Sequence, residues 1–554
     1  MKSIDFALFF SIIVVAVDCT FPNFVFIIAD DLGWNDVSFH GTDQIHTPNI
    51  DLLAYSGVAL GRYYSHAICT PSRSALLSGK YSHITGMQGR PLTMSEDRGL
   101  PVNVTLLPQY LQSAGYKTHL VGKWHVGSSR TSFLPTNRGF DSHFGHRGGF
   151  MDYYEYVLEE KVANGKPGFT LYNNLTAAWD VEGYITDVFT DKAKSVIENH
   201  DTSSPLFLMV AHNAPHAANE GAVLQAPPET VRLMRHVESP ERRILAGYFI
   251  YFAVCGELIN LTTNKLLYFL AMVKKLDDSV GEIIQSIYDK GILDNTIIVF
   301  VSDNGGMTSG VALNYGSNYP LRGINTTPFE GGVRVAGLIW STCLNNSNKY
   351  WDGYMHVTDW MPTLLSAAGL EVPSDIDGIN QWDNINANAE SSRTVMYEID
   401  DYAGYSSITY GDYKLVTGNV TKSYSTYQGG DLTGIIGEAP SYNDAITNST
   451  MYSILCSLGL DYNVNVRDNM TLNCSSASTT ICYPGNGTVC LYNIIDDPCE
   501  KTDLSDDYPD LVSEMQAMLD TEAAKKIARV KPIYSDPLAA PSLHNYTWAP
   551  WIES

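Results

Sequence analysis

The chain has 554 residues, of which 44% are hydrophobic and 11% aromatic, so it can bury a large core. Its 35 basic and 60 acidic residues give a formal net charge of −25. A disordered acidic chain is excluded, because such chains combine high charge with few aromatic residues. A nucleic-acid binder is disfavoured, because it would show a basic footprint. Since the overall field repels anions, an anionic ligand needs a local group of cations or a metal ion.

The first residues have the pattern of a signal peptide. Lys2 precedes an uncharged run over residues 6–17, and a short stretch over residues 18–20 follows it. The run is shorter than the about 20 residues that a membrane-spanning helix needs. We therefore predict a signal peptide over residues 1–19 and entry into the secretory pathway, with lysosomal or extracellular residence and no stable membrane anchor. A retained anchor is the alternative.

Glycosylation sequons and late cysteines agree with that compartment. Asn-x-Ser/Thr sequons begin at Asn103, Asn174, Asn260, Asn325, Asn345, Asn419, Asn448, Asn469, Asn473, Asn486 and Asn545. Five of the nine cysteines cluster late, at Cys456, Cys474, Cys482, Cys490 and Cys499. Disulfides are expected there, but their connectivity cannot be deduced from the sequence.

Continuous apolar runs predict three buried strands, over residues 23–29, 205–211 and 296–301. Helices are predicted over residues 47–56, where Thr47 would be the N-cap, and over 273–287, where apolar residues recur at helical spacing. Strands that alternate with helices predict an α/β fold with a large, mostly parallel sheet sandwiched by helices. Ligands of such sheets lie beyond the carboxyl ends of the strands.

The second part of the chain has a different character. A hairpin over residues 407–416, a strand over 489–494 and a closing helix over 509–529 predict a smaller α+β domain with an antiparallel sheet. Residues 418–490 are rich in Ser, Thr, Asn and Cys, so we expect an irregular, disulfide-linked and glycosylated segment. The predicted organisation is a catalytic domain over residues 20–390 and a C-terminal domain over residues 391–554.

Residues 250–269 fit this organisation poorly. They interrupt what would otherwise be one continuous helix, and they contain Cys255 and the sequon at Asn260. A true surface insertion and an error in the gene model are both open.

The sharpest motif runs Cys69-Thr-Pro-Ser-Arg73-Ser-Ala-Leu-Leu-Ser-Gly79. Pro71 is typical of a first helical turn, so Cys69 is predicted just before a helix N-terminus, where anions are stabilised. A thiol in that position would be an activated nucleophile, and Arg73 could reach back toward it. A disulfide cysteine is the equally weighted alternative.

Two predicted strands end in potential metal ligands. Asp30 and Asp31 follow the first strand, and Asp303 and Asn304 follow the third. Three carboxylates and an amide oxygen suit a hard cation such as calcium. The alternative is that the aspartates only cap a turn, but adjacent buried carboxylates are costly without a cation.

These motifs resemble those of type I sulfatases, and within that family the arylsulfatase B, or N-acetylgalactosamine-4-sulfatase, group. The cysteine motif is the family signature. The other matching segments, in the same order as in the family, are Asp30-Asp31, Gly122-Lys123-Trp-His125-Val-Gly127, Arg138-Gly-Phe-Asp141, Asp303-Asn304-Gly-Gly306, Glu330-Gly-Gly332, Asp359-Trp-Met-Pro-Thr363 and Asp377-Gly378. The resemblance implies a hydrolase of sulfated glycans or aryl sulfates.

The resemblance also implies the cofactors and the role of each residue. Cys69 would be converted to formylglycine by the formylglycine-generating enzyme, and residue 69 would share one calcium ion with the four ligands from the two strand ends. Lys123 would bind the sulfate, and Arg73 would orient the hydrated formylglycine. His216 would give a proton to the leaving alcohol, and His125 would take one from the hydrated formylglycine.

One position departs from the family pattern. Relatives usually carry a lysine five residues before Glu330-Gly-Gly, and this chain has Asn325. An amide has no charge and no titrating proton. Arg322 could swing in, and a glycan at Asn325 would obstruct the pocket. The alternatives to an active sulfatase are therefore a weakened relative that binds sulfated glycans and, less favoured because of the cysteine motif, a zinc phosphatase or phosphodiesterase.

Overall fold

The computed structural model describes residues 21–160, 167–220, 222–234, 236, 261–310, 312–345, 347–426, 440–472, 474, 481–529 and 535–552. The predicted signal peptide and residues 250–260 of the predicted interruption lie outside the described residues. Residues 261–269 form the start of a long helix that contains the predicted amphipathic segment.

The first twelve strands are β1 Asn23–Ala29, β2 Val58–Tyr64, β3 Lys117–Gly122, β4 Ser142–Gly145, β5 Val157–Glu159, β6 Pro167–Phe169, β7 Tyr172–Asn173, β8 Thr176–Ala177, β9 Leu206–Ala211, β10 Thr296–Ser302, β11 Gly337–Trp340 and β12 Lys349–His356. Ten of them form one sheet in the order β12-β2-β11-β10-β1-β9-β3-β4-β7-β8, and β5 pairs with β6. The five central strands from β10 to β4 are parallel to one another, and β11 and β7 flank them in antiparallel orientation. The three predicted strands are β1, β9 and β10, which lie side by side at the centre of the sheet.

The helices are α1 Pro48–Ser56, α2 Cys69–Ser78, α3 Ser82–Thr85, α4 Leu107–Ser113, α5 Ile185–Glu198, α6 Pro228–Leu233, α7 Leu261–Asp289, α8 Glu330–Val333, α9 Trp360–Ala367, α10 Trp382–Ala387, α11 Tyr442–Thr447, α12 Thr450–Leu458, α13 Val466–Met470 and α14 Pro509–Ala523. Side chains of β1 alternate between two cores. Val25 and Ile27 face the core that holds α1, α5 and α7, and Phe24 and Phe26 face the core that holds α2, α4 and α9. The prediction of a sheet sandwiched by helices is confirmed.

Thr47 does not cap α1 through its side chain. Its hydroxyl donates to Asp51 at 2.8 Å, while the Asp277 carboxylate of α7 accepts the N–H groups of Asn49 and Ile50, each at 3.0 Å. The cap of this helix therefore comes from a distant part of the chain, which local sequence signals do not reveal.

A second sheet contains β13 Val395–Asp400, β14 Tyr405–Tyr410, β15 Tyr413–Gly418 and β16 Cys490–Asn493, in that order and antiparallel. The predicted hairpin is the β14–β15 pair, and α14 packs on this sheet. The smaller antiparallel unit is confirmed, although α14 ends at Ala523 and not near residue 529.

The prediction of an irregular segment after residue 418 is wrong for the described residues 440–472, which contain α11, α12 and α13. Ser449 caps α12 by accepting the N–H of Tyr452. Met451, Ile454 and Leu455 are buried in the same core as α1 and α7. The polar and sequon-rich composition hides this short apolar face, so the segment packs onto the large domain.

The disulfides and sequons fit the predicted compartment. The disulfides Cys474–Cys499 and Cys482–Cys490 lie in the late cluster, whereas Cys456 is a free, exposed thiol. The exposed sequon asparagines are Asn103, Asn174, Asn345, Asn419, Asn448, Asn469, Asn486 and Asn545. Within the described residues, no helix is long and apolar enough to cross a membrane.

Candidate active site

The carboxyl ends of four neighbouring strands deliver the predicted site residues to one edge of the large sheet. β1 leads into Asp30 and Asp31, and β10 leads into Asp303 and Asn304. The two strands run in register, with Ala29 opposite Ser302, so their ends come together. The N–H of Asp31 accordingly donates to Asp303 Oδ1 at 3.3 Å.

The carboxylates of this edge are buried: Asp30 is 0% exposed, Asp31 1% and Asp303 4%. Two cationic side chains form ion pairs with these carboxylates. Lys123 Nζ lies 2.6 Å from Asp30 Oδ2, and Arg73 reaches Asp303 Oδ2 through Nε at 3.0 Å and NH2 at 2.8 Å. Burial, reinforced by Asp30, raises the pKa of Asp303 to about 6 although Arg73 opposes the rise. Three carboxylates therefore face two cations from the chain itself.

Several oxygens of the cluster are available to a cation. Asp30 Oδ1 and Asn304 Oδ1 are buried and have no hydrogen-bond partner among the described residues. Ligand atoms of Asp30, Asp31 and His216 lie within 4.8 Å of one another. Buried oxygens without partners are costly, and carboxylate and amide oxygens are the donors that calcium prefers. The donor set thus fits the predicted calcium ion.

Cys69 is the first residue of α2, and it is buried with a free thiol. The disulfide alternative is therefore wrong. So is the expectation of an activated thiol, because burial raises the pKa of Cys69 to about 12, and nearby Asp30, Asp303 and Asp31 oppose the lowering effect of Lys123. The helix N-terminus does not outweigh burial and three carboxylates. An unmodified thiol here would be protonated and a poor nucleophile.

His125 follows Lys123 at the end of β3, and both side chains are buried. His125 has a left-handed backbone, with φ of 58°, so simple strand alternation does not place it. Its Nε2 donates to the carbonyl of Leu92 at 2.9 Å, which leaves Nδ1 as a buried acceptor without a partner among the described residues. Burial and Lys123 hold the pKa of His125 well below its usual range, so the ring is neutral.

The geometry separates His216 from its competitor His212. His216 Nδ1 donates to the carbonyl of Ala217 at 2.6 Å, so Nε2 faces the site and lies 3.5 Å from Asp31 Oδ2. His212 pairs with Ser279 at 3.0 Å in the core, and burial lowers its pKa to about 3. His216 belongs to the site, and His212 is a core histidine.

Asn325 also lies in the cluster. Its Nδ2 donates to Asp31 Oδ1 at 2.6 Å, and the residue is 5% exposed. A folded chain cannot carry a glycan on that buried amide. Arg322 does not replace a missing cation, because its guanidinium donates to the Ser425 carbonyl at 2.7 Å and the Tyr492 hydroxyl at 2.6 Å.

Comparisons with known proteins agree with this geometry. A family model described as Sulfatase matches residues 22–370. The chain belongs to the sulfatase family. As a member of it, the protein is a sulfuric ester hydrolase, and not one of the phosphatases considered from the sequence.

This sulfatase is similar to several curated relatives. It is 34% identical to arylsulfatase J of Mus musculus, over 96% of this chain and 80% of the relative. It is 28% identical to N-acetylgalactosamine-6-sulfatase of Rattus norvegicus, over 74% of each chain. Arylsulfatase D of Homo sapiens is 28% identical over 64% of this chain and 67% of its own.

Solved structures share the fold of this sulfatase. Ps i-CgsB, crystallised in complex with k-i-k-neocarrahexaose, has a TM-score of 0.69 and 24% identity and covers 95% of this chain and 97% of its own. A second protein, solved in complex with its substrate D-glucosamine-2-N,6-O-disulfate, has a TM-score of 0.57 and 19% identity over 91% of this chain and 98% of its own.

Sequence reasoning missed one wall of the site, formed by residues 146–150 after β4. A Cβ placed at Gly149 would come 2.9 Å from His125 Cε1, so only glycine lets the backbone approach the histidine this closely. The Phe150 ring lies parallel to the His216 ring, with centroids 5.8 Å apart. β4 is too short to show a strand pattern, so the Arg138-Gly-Phe-Asp141 motif just before it was the available signal.

Proposed function

We propose that this sulfatase hydrolyses the sulfate esters of sulfated glycans, using a formylglycine made from Cys69 and one bound calcium ion. The observation that carries the proposal is the placement of Cys69 at the start of a buried helix, beside three carboxylates and two cations. Arg73 and Lys123 both lie close enough to Cys69 to interact with it electrostatically.

The proposed calcium ligands are Asp30, Asp31, Asp303, Asn304 and residue 69. The excess of one carboxylate over the local cations and the two oxygens without partners support this assignment. A bound divalent cation would offset the charge of the carboxylates and stabilise negative charge on the sulfate group.

The maturation of Cys69 is proposed because the thiol itself is a poor nucleophile. Hydrated formylglycine supplies a hydroxyl group at this position without the need to ionise a thiol. The formylglycine-generating enzyme is the proposed partner for that conversion. The exposed sequons and the disulfides support the secretory route that it requires.

The two proton transfers of the proposed reaction are assigned to two histidines. His125 holds its Nε2–H on the Leu92 carbonyl, so Nδ1 is free to accept a proton from a hydroxyl on residue 69. His216 holds its Nδ1–H on the Ala217 carbonyl, so a proton on Nε2 would point toward the leaving oxygen. Each ring thus turns its second nitrogen toward the site. Nδ1 of neutral His125 would accept a proton, and Nε2 of His216 would give one when that ring carries a proton on both nitrogens.

Calcium and formylglycine have separate tests. Calcium added to protein treated with a chelator should raise its melting temperature, because the ion binds the folded state and relieves repulsion among the three carboxylates. Mass spectrometry of the peptide that contains residue 69 should show an aldehyde in place of the thiol. A melting temperature that does not respond to calcium would contradict the metal assignment, and an unmodified cysteine in active protein would contradict the maturation.

The substrate class is tested by sulfate release. A sulfated galactosamine or glucosamine oligosaccharide should be hydrolysed with a higher kcat/KM than a simple aryl sulfate. Equal values would contradict a preference for glycans.

Asn325 favours a second candidate function, a weakened relative that binds sulfated glycans without turning them over. The amide neutralises no charge, and its hydrogen bond to Asp31 occupies one carboxylate oxygen of the cluster. This candidate predicts tight binding of sulfated oligosaccharides with no detectable sulfate release from fully formylglycine-bearing protein.

A further inference from the structure

His146 is a buried histidine next to the site that no step above uses. It follows β4 directly and is 0% exposed. Neither of its ring nitrogens has a hydrogen-bond partner among the described residues. A buried polar group without a partner destabilises the folded state, so such a group in a folded protein needs an explanation.

The backbone of His146 lies beside the segment that carries Lys123 and His125. Its backbone carbonyl accepts the N–H of Trp124 at 3.0 Å, and Trp124 lies between Lys123 and His125. The next residue, Arg147, accepts the N–H of His125 through its carbonyl at 3.3 Å. Burial, and then the charges of Lys123 and Arg73, lower the pKa of His146 well below its usual range. The ring is therefore neutral, with one N–H donor and one acceptor nitrogen.

Several other donors of the site already have acceptors within the protein. Lys123 binds Asp30, and Arg73 binds Asp303. The amides of Asn304 and Asn325 both donate to Asp31 Oδ1, at 2.5 Å and 2.6 Å. The ring N–H of His146, in contrast, has no hydrogen-bond acceptor among the described residues around this cluster.

We propose that His146 is a further substrate-contacting residue, whose free ring N–H donates a hydrogen bond to an oxygen of the bound sulfate group. This inference rests on the proposed function, because it assumes that the sulfate binds beside Lys123 and residue 69. A neutral imidazole can fill this role, because it keeps one N–H donor without a charge. The hydrogen bond also gives the buried imidazole the partner that the protein does not supply.

The test measures inorganic sulfate binding by calorimetry in calcium-loaded Cys69→Ala protein, where no turnover can occur. In this background the second substitution, His146→Phe, keeps a ring but removes the N–H donor. It should raise the Kd for sulfate about 5- to 10-fold, as expected for the loss of one neutral hydrogen bond. His146→Gln keeps an N–H donor and should recover part of the affinity. In the enzyme with residue 69 intact, His146→Phe should lower kcat/KM by up to about 10²-fold, the lower end of the loss seen for one preorganised donor.

The matched control is His143→Gln, three residues earlier in β4. His143 is also buried, but its Nε2 already donates to the Gly122 carbonyl at 3.1 Å. We expect it to lower the melting temperature without changing the Kd for sulfate.

The outcomes separate this inference from the proposed function. If the His146→Phe protein binds sulfate and turns over substrate as the wild type does, the role of His146 is refuted. If His146→Phe does not fold, His146→Gln decides, and a Gln variant with the weak affinity of a protein lacking any donor would overturn the proposal. If Cys69→Ala protein with an intact His146 does not bind sulfate, the result contradicts the proposed function itself and not only the role of His146.

Discussion

Two buried groups of charges in this protein differ in their balance of carboxylates and cations. The first is the site cluster of Asp30, Asp31 and Asp303 with Arg73 and Lys123. The second joins the two sheets: Lys414 of β15 lies 2.9 Å from Glu330 Oε1 and 3.0 Å from Glu500 Oε1.

In the second cluster the chain supplies the partners. Tyr64 donates to Glu330 Oε2 at 2.8 Å, the N–H of Glu330 donates to Glu500 Oε2 at 2.8 Å, and Arg334 lies 3.7 Å from Glu330. Two carboxylates thus face two cations. In the site cluster the carboxylates outnumber the cations, and Asp30 Oδ1 and Asn304 Oδ1 have no hydrogen-bond partner among the described residues. Glu500 Oε1 of the second cluster also has no hydrogen bond, but Lys414 Nζ lies 3.0 Å from it. Burial of carboxylates is common to both clusters, so it is the unmatched charge that marks a ligand site.

The largest effect should come from Asp31→Asn. It removes a proposed calcium ligand, so sulfate release should fall more than about 10³-fold, beyond the loss for a single donor, and the stabilisation by calcium should disappear. Without calcium the variant should be at least as stable as the wild type, because one of three mutually repelling carboxylates is gone. Calcium titrations followed by melting temperature measure both effects. If calcium raises the melting temperature of the variant as much as that of the wild type, the site cluster is not a calcium site and does not differ from the second cluster in this respect.

Lys414→Met should have the next largest effect, and on stability alone. The change leaves Glu330 and Glu500 buried without their shared cation, which should lower the free energy of unfolding by about 3–5 kcal/mol. Denaturant unfolding measures the loss, and calcium affinity of the remaining folded protein should be unchanged. If Lys414→Met weakened calcium binding as much as stability, the second cluster would not be a purely structural one.

A smaller effect is expected from a buried carboxyl outside both clusters. Asp277 accepts N–H groups of α1, and burial, only partly opposed by Lys274, raises its pKa to about 7 from an ordinary value of 3.8. An acid whose pKa rises on folding contributes stability that is present at low pH and is lost as the pH increases toward 7. This group should therefore lower the free energy of unfolding by on the order of 2 kcal/mol between pH 5 and pH 7.

Asp277→Asn tests the pH dependence. The variant should show a flatter dependence of its melting temperature on pH over that range, because the substituted side chain does not titrate. Parallel pH profiles for the wild type and the variant would show that Asp277 stays ionised in the folded state.

The two clusters also show what the sequence could predict. Asp30-Asp31 and Asp303-Asn304 follow long apolar strands, so a local pattern and a general rule about parallel sheets place them together. The family resemblance adds Cys69, Lys123, His125 and His216. Asn325 was identified only as a departure from the family, and the structure places it on Asp31.

The rest depended on contacts between distant segments. The cap of α1 by Asp277 joins residues more than 200 positions apart. The wall at residues 146–150 follows a four-residue strand with no periodic signal. The raised pKa of the Cys69 thiol follows from its burial among carboxylates, whereas the sequence showed only its place near a helix start. Local patterns reveal elements and their ends, but not the packing that sets pKa values.

We infer that the site is a working sulfatase centre built on residue 69. The most direct measurement is sulfate release from a simple aryl sulfate by protein co-expressed with the formylglycine-generating enzyme, compared with Cys69→Ala and Asn325→Lys. The wild-type protein should release sulfate, and the Cys69→Ala protein should release none. Asn325→Lys should raise the rate, by up to about 10²-fold if the added ammonium reaches the sulfate as an oxyanion donor would. If the wild type releases no sulfate and Asn325→Lys does, the site of the natural chain is not a working sulfatase centre. That result would favour a relative that binds sulfated glycans without turning them over.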